Sequence, residues 1–457
     1  MKGDLTQGGI TKGLLLFALP LICGNLLQQL YNLTDTWLVG RVLGENALAA
    51  VGSSYTLMTF LTSILLGLCM GSSAYFSIQF GRRDMARLRQ GIFQSFLLIG
   101  GLTLVLNLAV FLCLPWFLQV LHIPAEVVDP AWTYLWWVFW GIAATFLYNF
   151  FASLLRAVGD SVTPLKFLGV SVVLNIGLDV LFLLPLGMGV KGVALATVLS
   201  QYVSGLGLAC YTWKRFPHLR VGKEDRTWEG SSVRNILSLS FFTCLQQSVM
   251  NGGILMIQGL VNSFGAAVMA AFAVATKIDT LCYMPIQDFG NAFSTFVAQN
   301  YGAGKRERIQ RGVVRAVACS VAFSLAVGLL VAWQAPRLMA FFAGAEAVEA
   351  VAIGAGFLRI EAPFYFALGI LFLLYGYFRG VDRPAVSVVL TVCSLGTRVA
   401  LAYALAPLFG VTIIWMAIPI GWFFADTVGF VLLRRDGKRA CVRGRKNLVE
   451  FCREVVK

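Results

Sequence analysis

The sequence predicts an all-α integral membrane protein of twelve transmembrane helices, arranged as two six-helix lobes related by a pseudo-two-fold axis. Three observations carry this expectation: an apolar composition, basic residues confined to alternate connectors, and an internal duplication. The 457 residues are 58% hydrophobic and only 13% charged, with a mean hydropathy of +0.78, whereas a soluble domain is about 45–50% apolar and about 25% charged. That excess argues for a bilayer and against a soluble enzyme or a disordered chain. Ten Cys, none in a C-x-x-C pair, are too sparse for a disulfide framework and read as small apolar side chains.

A spanning helix needs about 20 mostly apolar residues. Runs of that size occupy 14–38, 47–79, 92–117, 131–155, 162–184, 190–213, 235–261, 267–299, 312–335, 351–378, 385–406 and 411–433. The first run follows Lys2 and Lys12 in the manner of a signal peptide, but no small-residue cleavage site comes after it, so it reads as the first span.

The formal charge of +14 would suggest nucleic acid on a soluble protein; its placement says otherwise. With the N-terminus inside, thirty of the 36 Lys and Arg fall in inner connectors and termini or at the span ends beside them, and three, Arg41, Lys191 and Arg337, fall on the outer side. Lys277, Arg359 and Arg398 lie within spans. This is the positive-inside pattern, with both termini cytoplasmic.

The duplication appears as GENALAAVG (Gly44–Gly52) against GAAVMAAFA (Gly265–Ala273), and as FGRRDMARLRQG (Phe80–Gly91) against YGAGKRERIQRG (Tyr301–Gly312), two blocks that share a single offset. A third match, Arg156, Asp160 and Pro164 against Arg379, Asp382 and Pro384, falls close to that offset. Six spans per repeat bring both halves into the membrane the same way round, as in secondary transporters built from parallel repeats. The expected organisation is an N-terminal lobe at 1–213, a cytoplasmic linker at 214–234 carrying KRFPH and GKEDR, a C-terminal lobe at 235–433, and a basic tail at 434–457. In that tail Leu448, Phe451, Cys452, Val455 and Val456 have the spacing of a short amphipathic helix on an anionic leaflet; a solvated basic tail is the plainer alternative.

Carboxylates within spans are costly and mark candidate sites. Asp35 lies in helix 1, while Asn175 and Asp179 share one face of helix 5 at i, i+4. Thr197 in helix 6 adds a hydroxyl. An all-oxygen set of this kind suits a hard cation such as Na⁺, and two close carboxyls equally suit a shared proton. Pro20, mid-helix 1, removes a backbone hydrogen bond and permits a kink. The second half carries Lys277, Asp279 and Asp288 in helix 8, Arg359 and Glu361 in helix 10 and Arg398 in helix 11, whose balanced signs suggest an ion-pair network or a further cation site. Gln28, Tyr31, Gln246, Gln247, Tyr283 and Tyr365 are candidate linings of a cavity for amphipathic ligands, where aromatic faces attract cations. There is no GxxxxGK[ST] loop for ATP, no HExxH and no GxSxG, and AVGD at 157–160 lacks the first Gly of a GxGD protease. His122 and His218 are too far apart in sequence to suggest a transition-metal site. No enzyme activity and no cofactor are therefore expected.

Together these segments resemble the multidrug and toxic compound extrusion (MATE) family over nearly the whole chain. The resemblance runs from LTQGGITKGLLLFALPLICGNLLQQLYNLTDTWLVGRVLG through GENALAAVG, RAVGDSVTP, NIGLD, QNYGAGKRERIQ and FRGVDRP. It implies the twelve-helix MATE fold, a central cavity, and efflux of small amphipathic, including cationic, molecules in exchange for Na⁺ or H⁺ by rocker-switch alternating access. The expected setting is a prokaryotic cytoplasmic membrane, with lipids as neighbours, no ATP or nucleic acid, and a monomer as the working unit. Residue by residue, Asp35, Asn175, Asp179 and Thr197 match the family's N-lobe cation site and Pro20 its helix-1 bend. The C-lobe Glu and Asp of NorM-type members are absent: helix 7 offers Gln246 and Gln247, and helix 10 only Glu361. The chain thus looks closer to the DinF-like branch. The rival function is a lipid-linked-precursor flippase of the same superfamily, which would require a strongly cationic cavity.

Overall fold

The computed structural model describes residues 4–120, 125–344 and 346–442, and among these there is no strand. A bilayer offers backbone N–H and C=O groups no partners, so a spanning segment must close its hydrogen bonds internally as a helix. Fourteen helices do so: α1 (Ile10–Leu43), α2 (Glu45–Arg82), α3 (Met85–Val120), α4 (Ala125–Val138), α5 (Ile142–Ala157), α6 (Val162–Leu183), α7 (Gly189–Arg215), α8 (Gly230–Asn262), α9 (Ala266–Gly302), α10 (Arg306–Ala343), α11 (Val348–Glu361), α12 (Tyr365–Gly380), α13 (Pro384–Phe409) and α14 (Thr412–Val442). A 3-10 turn at Phe139–Gly141 joins α4 to α5, and one at Ala362–Phe364 joins α11 to α12, so the fourteen make twelve rods.

Eleven of these rods are long and apolar enough to cross a membrane among the described residues. The twelfth, α8, has 33 residues, but Gln246, Gln247, Asn251 and Gln258 dilute its apolar content. The rods outrun the predicted apolar cores because helix continues into polar flanks; α10, for instance, begins at Arg306 rather than 312. The duplication is visible in the backbone. Gly44 and Gly265, equivalent positions of the two repeats, precede α2 and α9 with φ of 84° and 99°, a conformation glycine adopts without a Cβ clash. The two 3-10 turns also fall at nearly equivalent places, between the first and second parts of the fourth rod of each repeat. His122 and the expected amphipathic helix at 448–456 lie outside the described residues.

Two compact units form: Met1–Asp4 with Leu19–Cys244, and Leu5–Ala18 with Leu245–Lys457. The sequence boundary in the linker at 214–234 differs from this division. Helix α1 is divided between Ala18 and Leu19 and α8 between Cys244 and Leu245, so each unit includes helix from the other half of the sequence. Helix α1 continues unbroken through Pro20, which follows its dividing point directly.

In the first unit, Phe76, Phe80, Phe139 and Phe150 are fully buried, and Phe76 meets Phe150 edge to face at 6.0 Å. Helix α2 approaches the start of α8 so closely that a Cβ on Gly71 would lie 2.4 Å from the Ser240 Cα. In the second unit, Phe272 stacks on Trp415 at 5.3 Å and Phe357 meets it edge-on at 4.9 Å. There α9 and α12 touch backbone to backbone: a Cβ on Gly376 would sit 2.5 Å from the Gly290 carbonyl oxygen. Such small-residue contacts hold helices together in lipid, where burial of apolar surface between helices adds little.

Each unit also holds a polar segment against a helix corner. In the second, Leu5 N–H donates to Gln299 Oε1 at 3.0 Å, Lys305 Nζ donates to the Thr6 carbonyl at 2.8 Å, and Arg308 donates to the carbonyls of Gln7 and Gly8 at 2.7 and 2.9 Å. In the first, the linker plays that part: Arg89 pairs with Asp225 at 2.9 Å and Gln94 donates to the Thr227 carbonyl at 2.9 Å. Asp160, prominent in the RAVGD motif, caps α6 by accepting from the Val162 and Thr163 N–H groups at 3.1 and 3.0 Å, a structural role.

Gly376→Val is expected to destabilise the purified protein by about 1–3 kcal/mol through overpacking, whereas Gly396→Ala, with open space around it, stays near neutral; thermal unfolding in detergent compares the two. Arg308→Ala removes guanidinium contacts to Leu5, Gln7 and Gly8 and is expected to speed proteolysis of the N-terminal segment, read by limited digestion and mass analysis.

Candidate functional site

The seam between α6 and α7 in the first unit is polar along its length. Ser171, Asn175 and Asp179 recur at every fourth position on α6, and Thr197, Ser200 and Ser204 fall on one face of α7; all six are buried. The serines are consumed locally: Ser171 Oγ donates to the Ser200 carbonyl at 3.0 Å, Ser200 Oγ to the Thr197 carbonyl at 2.9 Å, and Ser204 Oγ to the Phe167 carbonyl at 3.3 Å. The amide and carboxyl of Asn175 and Asp179 are thereby left as the seam's free polar groups.

Helix α1 brings Asp35 to them. Asp35 is buried and within electrostatic reach of Asp179; two carboxyls this close suit a shared proton or a bound cation. Tyr31, one turn before Asp35, lies with its hydroxyl 3.3 Å from Thr197 Oγ1. Asp35 Oδ1, Asp179 Oδ1 and both polar atoms of the Asn175 amide are buried without a hydrogen-bond partner among the described residues. Buried polar atoms left unpaired cost free energy unless something occupies them. Asp35, Asp179, Tyr31 and Thr197 thus lie near one another, with Asn175 one turn before Asp179 on the same face of α6, and their oxygens are a donor set that fits a small hard cation or a proton. Tyr31, also expected to line a ligand cavity, stands beside this carboxyl pair, because position 31 is one helical turn from 35.

Tyr134 was not predicted. It is buried on α4, within electrostatic reach of Asp35, Asp179 and Tyr31. Its sequence neighbourhood, AWTYLWWVFW, hides it among aromatics with no polar period to single it out.

The second unit differs from the expected balanced network. Asp279 and Glu361 are buried, and the Tyr365 hydroxyl donates to Asp279 Oδ1 at 2.6 Å. Arg398 is half-buried and interacts electrostatically with both carboxylates. No ion pair joins them, however, and Arg398 Nε and Glu361 Oε2 have no hydrogen-bond partner among the described residues. Lys277 does not belong to this cluster: it is exposed, since two residues along a helix turn it about 200° from Asp279. Of the residues proposed to line a ligand cavity, Tyr365 is fully buried and committed to Asp279. Gln246 is buried, Gln247 half-buried and Gln28 exposed, and Tyr283 packs on Phe372 at 6.3 Å.

Asp35→Asn keeps a hydrogen-bonding group at the same volume, and its effect on stability is expected to stay below about 1 kcal/mol. Asp179→Leu, which sets a branched apolar side chain among the buried polar groups of Asp35 and Asn175, is expected to cost about 2 kcal/mol or more. Thermal unfolding of the two variants in one detergent compares them.

Comparison with known proteins adds an independent line. The MatE family model matches residues 20–181 and 241–404, one block in each half of the duplication. "Probable multidrug resistance protein YpnP" of Bacillus subtilis is 31% identical over 439 residues, covering 94% of this chain and 96% of its own. "Probable multidrug resistance protein NorM" of Thermotoga maritima is 26% identical, covering 94% of each. Among solved structures, the outward-facing conformation of a multidrug resistance MATE family transporter superposes with a TM-score of 0.90 at 24% identity, over 98% of this chain and 99% of that one. A MOP superfamily transporter from Pyrococcus furiosus superposes with a TM-score of 0.90 at 25% identity, over 95% and 98%. The fold, the doubled family match and the near full-length relatives agree: the chain belongs to the MATE family of multidrug efflux transporters.

Proposed function

We propose that this protein is a secondary active exporter that moves small amphipathic molecules, cationic ones among them, out of a prokaryotic cell by alternating access. The driving force is Na⁺ or H⁺ entering by way of the Asp35–Asp179 pair. The observation that carries this reading is the grouping of two buried carboxyls with Asn175, Thr197 and Tyr31, four of whose polar atoms lack partners among the described residues. Binding a cation, or gaining and losing protons, changes the charge of this pair, and in a low-dielectric interior that change is large enough to bias a two-state fold. The thirty-to-three distribution of basic residues supports a cytoplasmic-membrane setting with both termini inside. Relatives bearing the names multidrug export protein and multidrug resistance protein support the substrate class.

Proteoliposomes loaded with a cationic dye test the reading under separately imposed Na⁺ and H⁺ gradients. One of the two gradients is expected to drive efflux, and Asp35→Asn and Asp179→Asn each to reduce it by about tenfold or more, as loss of a coordinating group does. Efflux that ignores both gradients, or survives both substitutions, overturns cation coupling at this pair. Gradient-independent movement of a lipid-linked pyrophosphate instead of the dye would favour the flippase.

A further inference from the structure

The second unit contains a carboxylic acid that neither the candidate cation site nor the Asp279–Glu361–Arg398 cluster uses. Asp426 lies in the middle of α14. It is 6% exposed, and its Oδ1 is buried with no hydrogen-bond partner among the described residues. The helix here presses into the seam of α12 and α13. About one turn further on, a Cβ at Gly429 would lie 2.6 Å from Leu374 Cδ1 and 3.4 Å from Leu390 Cδ1, and rather more than a turn before, a Cβ at Gly421 would lie 2.5 Å from the Ser394 carbonyl oxygen. Asp426 is thus enclosed by protein on this face.

One group near it is a neutral phenol. From α12 comes Tyr375, buried and within electrostatic reach of both Asp426 and Cys393 of α13. Helix α13 also contributes a ladder of buried hydroxyls, in which Thr391 donates to the Ser387 carbonyl at 2.9 Å and Ser387 donates to the Tyr375 carbonyl at 3.3 Å. Of the charges on the packed elements, Arg398 of α13 and Glu361 of α11 interact with each other, and Arg398 also with Asp279. Arg379 of α12 donates to Ser294 and Asn291 of α9 at 3.1 and 3.0 Å. These contacts hold Arg398 and Arg379 to other partners. An ionised carboxylate enclosed without a cation is costly inside a membrane. A metal ion would need several further free oxygens, and the Ser387 and Thr391 hydroxyls are spent on carbonyls, whereas a proton needs only the carboxyl itself.

We propose that Asp426 is a second proton-binding site of this transporter, a carboxylic acid that carries its proton in the folded protein, built by the α12–α13–α14 seam and independent of the Asp35–Asp179 pair. Its test does not depend on transport, so it stands or falls separately from the coupling mechanism. Infrared absorption of the full-length protein in lipid at neutral pH reads protonated carboxyl groups directly through their C=O stretch. The Asp35→Asn/Asp179→Asn double variant is expected to retain a band component worth one carboxyl per chain from Asp426. Adding Asp426→Asn is expected to abolish that component, and Asp426→Glu to move it. Should Asp426→Asn fail to fold, the shift in the acid-retaining Asp426→Glu variant decides. An unchanged band in both Asp426 variants overturns the proposal, as does a component that disappears on adding Na⁺, which would make the site a metal-ion site.

Discussion

A polypeptide surrounded by hydrocarbon must satisfy every backbone N–H and C=O from within, and the rest of this structure depends on that constraint. It leaves the helix as the only form for each span and makes every irregularity informative. Pro363 lies in the 3-10 turn that breaks the tenth rod, and Gly141 in the one that breaks the fourth. Gly141 is confined by Gln201 Oε1, which would lie 2.8 Å from an added Cβ. The two breaks fall at matching places in the duplication, so they belong to the ancestral six-span unit rather than to either half alone.

The same constraint sorts the buried polar side chains. Many serines and threonines of the spans donate to a carbonyl one turn back, as Thr103, Thr212 and Thr243 do at 2.7 Å, and are thereby silenced. The exceptions concentrate where helices meet on a polar face. Along α6 and α7 the serines spend their hydroxyls on neighbouring carbonyls, and what is left open to a visitor is one amide and one carboxyl, joined by another carboxyl from α1. The seam is a device for isolating acceptors. The second unit follows another plan, with a tyrosine donating to Asp279 and one arginine acting on two acids.

Much of this was legible beforehand. Composition and the alternation of basic connectors were sufficient for the membrane and the number of rods, because hydropathy and length are linear properties of the sequence. The convergence of Asp35 with Asn175, Asp179 and Thr197 came from the family resemblance together with the i, i+4 spacing on α6. What could not be read depended on which way a side chain turns. Lys277 and Asp279 belonged to one expected charged network, yet helical geometry sets them on opposite faces. Tyr365 looked like a lining residue and is a buried donor. Tyr134 sits in a run of aromatic residues whose periodicity shows nothing unusual, whereas Asp426, a carboxylate inside the span at 411–433, falls under the same rule that singles out Asp35 and Asp179. The division of α1 beside Pro20 was also invisible, since a unit boundary inside a continuous helix leaves no mark on composition.

The hold of Gln299, Asn300, Lys305 and Arg308 on Leu5–Gly8 joins the two ends of a very long loop of sequence. During synthesis that segment emerges long before α9 and α10 exist, so its carbonyls must wait in water for most of the chain to follow. The earliest residues of this sequence are consequently among the last to find their places, and the bonds that fasten them can form only once much of the second half has been made. A nascent chain truncated before Gln299 would leave this latch open, giving a cell a physical distinction between a finished transporter and an incomplete one.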